Sequence, residues 1–428
     1  MAIYRINGGL KLSGEVTPTP NKNEVLPAVV AALLTDEQVT LHNVPKTSDV
    51  RGMLKIIKKL GGKVSYTNGG NTVKVNSSTI QDGELDLELT KKMKAGVMFM
   101  APLLLRFKKA FMPIPGGCKL GTRPLDAFVN GMEMLGARYE PSEKGFFLHG
   151  DTLKANSIWP WFPSVTGTEN LIMLATGIKG RIEIFNAAAE PHVQQLCKML
   201  VSMGANIEGI GSNKLIIEGG HELKGTEWTI ASDHLDIIEY IASAAVTESE
   251  LRINNAIPEH TSLIRQAFEI VGVKTFYEGT TLVVPEKQSL KIKKTIKGDI
   301  YDIKAFFWPM FPPDAIHSLI VTALKSEGKM IFHNSFYEYG FFFAEELAKM
   351  KGNVVMADPH RLITFGPTNF RAGPIDAPNI IAATKGLFVA ALAAPGETIL
   401  HDRTDQLMRR YPNLVDIYNS VGAQIEKI

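Results

Sequence analysis

Met132-Glu133-Met134-Leu135-Gly136-Ala137 is a helical pattern that stops on a glycine. Its counterparts are Leu60-Gly61-Gly62, Met203-Gly204-Ala205, Val271-Gly272-Val273, Met350-Lys351-Gly352 and Val421-Gly422-Ala423. They recur roughly every 70 residues, a longer period than those of solenoids and propellers. A residue with positive φ at such a place closes the last helical turn, and glycine does so without a Cβ clash. The stretches that follow, such as Lys63-Val64-Ser65-Tyr66 and Asn206-Ile207-Glu208, alternate polar and apolar residues as strands do.

Working outward from these turns, each unit opens on a helix that is nearly all apolar. Examples are Ala28-Val29-Val30-Ala31-Ala32-Leu33-Leu34, Ile172-Met173-Leu174-Ala175-Thr176 and the run from Ile237 to Val246. A helix apolar around most of its surface is buried on most sides. The β-rich runs between, Val39-Thr40-Leu41-His42-Asn43-Val44 and Ile182-Glu183-Ile184-Phe185-Asn186, are half polar, so their sheets have one wet face. This predicts an α/β fold of six helix-strand-helix-strand repeats, with buried helices and outer sheets. Six units in 428 residues divide as three and three, giving one domain over residues 22–231 and a second over 1–21 and 232–428. The opening strand around Tyr4-Arg5-Ile6 then completes a sheet of the second domain, and the chain crosses between domains twice.

Composition excludes several classes. The chain holds 46 basic and 44 acidic side chains, a formal charge of +2 with no block of one sign, so it carries no sequence-wide footprint for nucleic acid. Two cysteines, Cys118 and Cys197, are too few for a disulfide framework and lack zinc-ligand spacing, which fits a reducing compartment. Neither a secretory leader nor an apolar run long enough to span a bilayer is present, so the expectation is a cytoplasmic protein without membrane association.

The segment Pro113-Ile114-Pro115-Gly116-Gly117-Cys118-Lys119-Leu120-Gly121-Thr122-Arg123-Pro124-Leu125-Asp126 carries the most chemistry. Glycines and prolines shape a loop, and Lys119 and Arg123 favour the thiolate of Cys118. Cys197 lies instead in a helical stretch and reads as a small buried hydrophobe. Gly116 to Gly121 has the glycine spacing of a P-loop, but Thr122-Arg123 stands where Lys-Ser or Lys-Thr is required, so a nucleoside triphosphatase is excluded. Lys22-Asn23 precedes the first apolar helix, where helix N–H groups and a lysine suit an anion, or where the pair simply caps the helix. Asp314, in Phe311-Pro312-Pro313-Asp314-Ala315, opens the fifth apolar helix and reads as an N-cap when taken alone.

Together and in this order, these segments resemble the UDP-N-acetylglucosamine enolpyruvyl transferases (1-carboxyvinyltransferases) over essentially the whole chain. The family's Lys-Asn pair matches Lys22-Asn23, and its Pro-Gly-Gly-Cys loop with Gly-x-Arg-Pro-x-Asp matches Pro115 through Asp126. Its Phe-Pro-Ser-Val, Asn-Ala-Ala-x-Glu-Pro and Phe-Pro-x-Asp segments match Phe162 to Val165, Asn186 to Pro191 and Phe311 to Asp314. The resemblance implies a two-domain inside-out α/β barrel with its active site in the cleft between domains. The reaction it implies moves the enolpyruvyl group of phosphoenolpyruvate to the 3-hydroxyl of UDP-N-acetylglucosamine, releasing phosphate in the first committed step of peptidoglycan synthesis. It assigns Asp314 as base, Cys118 as acid and Lys22 as phosphate holder. Substrate contacts fall to Asn23, Lys94, Arg123, Pro124, Leu125, Asp126, Ala127, Phe162, Pro163, Ser164, Val165, Ile331, Phe332 and Arg409. No metal, cofactor or obligate protein partner is implied.

The chain departs from the family where anions are held. Lys94, Ser335 and Ile381 stand at arginine positions, and Ser335 and Ile381 lose the charge outright. Lys385, one turn beyond Ile381, is a candidate replacement, as are Arg371 and Arg410. The departures leave open an enolpyruvyl transferase for another nucleotide acceptor. A non-catalytic nucleotide-sugar-binding homologue is disfavoured by the joint presence of Cys118, Lys22 and Asp314.

Overall fold

The structure, a computed structural model, describes residues 2–81, 83–90, 94–113, 126–337 and 340–428; the side chains of Leu87, Lys94, Ala127 and Arg409 also lie outside the description. Each repeat contains an inner and an outer helix. The pairs are α1 (Lys22–Ala31) with α2 (Ser48–Lys59), α3 (Met100–Phe107) with α4 (Asp126–Met134), and α5 (Val165–Gly177) with α6 (Pro191–Ser202). Then come α7 (His234–Val246) with α8 (Pro258–Ile270), α9 (Ile316–Lys325) with α10 (Ala344–Lys349), and α11 (Ile381–Ala393) with α12 (Leu414–Ser420).

All six outer helices end alike. Gly61, Gly136, Gly204, Gly272, Lys351 and Gly422 take φ between +63° and +105°. The next residue's N–H reaches back five positions in every case: Gly62 to Ile57 (2.9 Å), Ala137 to Met132 (3.0 Å), Ala205 to Leu200 (2.9 Å), Val273 to Phe268 (3.0 Å), Gly352 to Leu347 (2.7 Å) and Ala423 to Tyr418 (3.1 Å). These are Schellman closures, which satisfy carbonyls at the helix end and turn the chain back as a strand. In the fifth repeat a lysine occupies the left-handed position, and Gly352 follows it.

The sheets repeat as faithfully. The strand after each inner helix, such as Gly328–Asn334, runs antiparallel to the far strand of the hairpin that follows the outer helix, here Arg361–Gly366. Its other edge carries a parallel partner, here Tyr301–Ala305. In the second repeat that partner is reduced to a bridge between Glu84 and Phe111. The sixth repeat takes its missing hairpin strand from the start of the chain, because Ala2–Gly8 lies between Gly396–Asp402 and Gln424–Lys427. Among the described residues the strands form six separate sheets, none closed on itself.

The chain divides into two compact units with three sheets each. The first comprises residues 20–113 and 126–231, and the second comprises residues 2–19 and 232–428. Each has its own apolar core. In the second unit α7, α9 and α11 pack against one another, and every residue of α7 is buried. The strands show alternating burial, as in Gly328–Asn334, which leaves one face of each sheet wet. Among the described residues no helix is long and apolar enough to cross a membrane.

Two of the six turns separate backbone strain from steric clash. A Cβ at Gly204 meets nothing closer than 3.7 Å, whereas one at Gly136 falls 2.2 Å from the Thr152 carbonyl oxygen. Gly204→Ala is expected to cost about 1–2 kcal/mol, the left-handed penalty alone, and Gly136→Ala distinctly more. Urea denaturation of both variants checks the difference; equal losses would mean that the Thr152 segment yields freely.

Candidate active site

In the first unit, Asn21 caps α1 by accepting from the Asn23 N–H (2.9 Å) and the Glu24 N–H (3.3 Å). Lys22 and Asn23 are therefore the first helical residues rather than the cap. The Lys22 ammonium pairs with Asp49 at the start of α2, and both side chains are largely buried. Glu24 ties the unit's two ends together, accepting from the Trp228 indole (3.1 Å) and the Ala231 N–H (3.1 Å). Ser164 caps α5 by accepting from the Gly167 N–H (3.2 Å), so Phe162, Pro163, Ser164 and Val165 lead into a helix N-terminus, a place suited to an anion. Beside this segment a hollow of about 430 Å³ is lined by Trp159, Pro160, Trp161, Phe185, Asn186 and Asn213. Further along the same helix Glu169 is fully buried, with both carboxylate oxygens lacking a hydrogen-bond partner; burial, then the nearby Glu190, pushes it well above the usual carboxylate range. Cys197 is buried too, and burial pushes its thiol up to about 12.

In the second unit Asp314 lies in the 3-10 turn Pro313–Ala315 ahead of α9, where no side chain caps the helix. Its carboxylate instead accepts from the Tyr337 hydroxyl at 3.0 Å. Tyr337 is itself located by its N–H bond to the Asn334 side chain (3.2 Å) and by an edge contact with Phe336. The N-cap reading of Asp314 is therefore corrected: its side chain accepts no cap bond from the helix and is held by a phenol instead.

Behind it lies a layer of buried charge. Asp233, Asp236 and Glu239 recur every third residue from the N-cap of α7, a spacing that places them on one side of the helix. Lys385 of α11 lies 3.2 Å from Glu239, 3.6 Å from Asp236 and 3.0 Å from the Tyr411 hydroxyl. Arg410 donates to Asp233 at 2.9 Å. Burial pushes Asp236 and Glu239 up while Lys385 pulls against it. For Arg410 burial opposes the charge, but Tyr411, Asp233 and Asp314 outweigh it and hold the proton more tightly than usual. His317, buried in α9, faces the Gly340 carbonyl through Nε2 at 2.7 Å, and burial draws it down to about 4.

Of the residues singled out in the sequence, Lys22 and the segment Phe162 to Val165 stand at helix starts of the first unit, and Asp126 is exposed at the start of α4. Cys118, Arg123, Pro124 and Leu125 lie outside the described residues, as do the side chains of Lys94, Ala127 and Arg409. In the second unit Ile331 is half-buried, while the side chain of Phe332 faces the core, because neighbours along a strand point to opposite faces. Ser335 is exposed, and Ile381 packs against the core. Lys385 is not a solvated helix charge, since it is buried between two carboxylates. The acids of α7 and Tyr337 went unrecognised in the sequence. Three acids at a spacing of three in an otherwise apolar helix are the signal for the former, because charges are rarely buried unless paired.

Comparison with known proteins places the chain among the carboxyvinyltransferases. The family model described as EPSP synthase (3-phosphoshikimate 1-carboxyvinyltransferase) matches residues 6–418. UDP-N-acetylglucosamine 1-carboxyvinyltransferase of Borreliella burgdorferi is 37% identical over 100% of this chain and 99% of its own. That of Bacteroides fragilis is 36% identical over the whole of both chains. Among solved structures, the enolpyruvyl transferase NikO from Streptomyces tendae matches with a TM-score of 0.86 at 20% identity, covering 100% of this chain and 98% of its own. EPSP synthase from Acinetobacter baumannii gives 0.77 at 16%, over the whole of both chains. The chain belongs to the UDP-N-acetylglucosamine 1-carboxyvinyltransferase family, and its fold is that of the enolpyruvyl transferases.

Two outcomes follow from the environments of Cys197 and His317. Native labelling with a thiol reagent near neutral pH is expected to modify Cys118 and spare Cys197; modification of both at similar rates would contradict the burial of Cys197. Because His317 takes up a proton less readily folded than unfolded, its contribution to stability is complete above about pH 6.5 and is lost as pH falls toward 4. That loss is roughly 3 kcal/mol. His317→Gln, which retains a donor for the Gly340 carbonyl, should flatten the fall of the melting temperature between pH 7 and 4.5.

Proposed function

We propose that the protein transfers the enolpyruvyl group of phosphoenolpyruvate to the 3-hydroxyl of UDP-N-acetylglucosamine, releasing phosphate, as the first committed step of peptidoglycan synthesis. The observation that carries this reading is the full-length similarity to 1-carboxyvinyltransferases combined with the retained set Lys22, Cys118 and Asp314. Asp314 accepts the proton of the acceptor hydroxyl as its oxygen bonds to C2 of phosphoenolpyruvate, and Cys118 supplies a proton to C3. The Cys118 thiolate then takes back a proton from C3 as the bond from C2 to the phosphate oxygen breaks, which re-forms the double bond and releases phosphate, held by Lys22, from the tetrahedral intermediate. Tyr337 leaves the second carboxylate oxygen of Asp314 for the substrate, and general acid–base steps of this kind contribute about 10²–10⁴-fold.

The segment Phe162 to Val165 suits the nucleotide side, because the start of α5 favours negative charge. The lack of a membrane-crossing helix among the described residues and the scarcity of cysteine support a place in the cytoplasm. The replacement of family arginines at Ser335 and Ile381 favours one second reading, the same transfer to a different nucleotide acceptor.

Phosphate release from phosphoenolpyruvate with UDP-N-acetylglucosamine, set against a panel of nucleotides, separates the two readings. In the same assay Asp314→Asn is expected to lower kcat by roughly 100-fold or more, with acceptor affinity held within a few-fold. Near-normal turnover of this variant would remove Asp314 from the role of base.

A further inference from the structure

Three cations stand close enough in the chain to replace the arginines missing at positions 335 and 381, and their surroundings differ. Lys385 is committed, since its ammonium is shared by Asp236, Glu239 and the Tyr411 hydroxyl, all buried. Arg371 is exposed, with its backbone N–H bonded to the Met350 carbonyl. Arg410 differs from both. Its side chain is 9% exposed, yet among the described residues its hydrogen bond goes from Nη2 to Asp233, and Nε is buried with no hydrogen-bond partner. A buried guanidinium presents five donors in a planar fork, and leaving them unsatisfied is costly. Such a group, nine-tenths buried and incompletely bonded, points to a partner that arrives from outside.

The partner's charge is constrained. Asp314 is among the groups that hold the Arg410 proton, so the guanidinium stands within electrostatic reach of the proposed base. Tyr411 lies under it, with the guanidinium carbon 5.4 Å from the ring centre. A planar fork beside an apolar face, with one edge already on a carboxylate, suits a carboxylate or phosphate on its other edge.

We propose that Arg410 receives an anionic group of phosphoenolpyruvate, replacing the charge absent at Ser335 and Ile381. The assignment rests on the transferase reading above. It makes Arg410 a substrate-binding residue and leaves Lys385 a structural one.

The test compares wild type, Arg410→Lys, Arg410→Gln and the double variant Arg410→Gln/Asp233→Asn. The double variant is needed because removing Arg410 alone leaves Asp233 buried without its partner, which is itself destabilising. Steady-state phosphate release should show the KM for phosphoenolpyruvate rising roughly 10- to 100-fold in Arg410→Gln and in the double variant, as expected for losing a hydrogen bond between charged groups. Arg410→Lys should fall between, and the KM for the nucleotide acceptor should stay within about threefold. Recovery of phosphoenolpyruvate affinity in the double variant would mean that Arg410 only neutralises Asp233, and the assignment would fall. An unchanged KM in Arg410→Gln would also overturn it while leaving the transferase reading intact. If wild type binds phosphoenolpyruvate but does not turn over UDP-N-acetylglucosamine, the acceptor assignment fails. The thermal shift that phosphoenolpyruvate induces in the four proteins then decides the role of Arg410 by the same comparison.

Discussion

One residue in the left-handed conformation at the end of each outer helix is the constraint on which the architecture depends. It lets the following N–H reach back to close the helix, and in the same step reverses the chain into an antiparallel hairpin. Because the hairpin's far strand pairs with the strand that follows the inner helix, the turn determines which face of the sheet meets the core. A slip of one residue would exchange the buried and wet faces. That five of the six positions are glycine and one is lysine shows that the conformation is the requirement, while glycine is its easiest solution.

Where an inner helix is buried along its whole length, as α7 is, any charge it carries must be paired inside. The second unit meets this with an arrangement that spans α7, α11 and the residues just before α12. Asp236 and Glu239 are tolerable because Lys385 lies between them, and Lys385 because Tyr411 and the two carboxylates satisfy its donors. Ser318 of α9 completes the set by donating to Glu239 at 2.6 Å. A network of this kind adds little net stability over apolar packing, but removing one member strands the others. The first unit contains a different solution: Glu169, without a partner, is pushed by burial toward its neutral form.

Much of this was legible in the chain. The repeat, the buried inner helices and the closing turns follow from apolar periodicity and glycine placement, which are local properties. The N-terminal strand's place in the last sheet followed from counting, because the sixth repeat lacks its second hairpin strand. At the candidate site, residue types were readable but their partners were not. Asp314 read as a helix cap because its position fits one, and only the fold brings Tyr337, 23 residues on, to its carboxylate. Lys385 read as a candidate anion holder, and only the fold shows it committed to Asp236, Glu239 and Tyr411, because a lysine's surroundings are set by elements far apart in sequence. Phe332 read as a site residue, yet strand alternation turns its side chain inward.

The two arginine losses and the buried charges therefore belong to one account. Ile381 begins α11 with an apolar side chain packed on the core, and one turn later the same helix carries Lys385 into the interior. The positive charges of Lys385 and Arg410 lie inside the fold, where each cation needs a carboxylate. Lys385 has two, so little of its field is left for a ligand. Arg410 has one hydrogen-bonded carboxylate and an unsatisfied nitrogen, and its proton is held more firmly than that of a free guanidinium. An anion receptor of that kind does not titrate in the working range, because arginine is already charged throughout it. Any acid limit on the protein must then arise from groups that do change charge there; His234 and His317, both drawn down to about 4 by burial in this same unit, are two such groups that the fold keeps neutral.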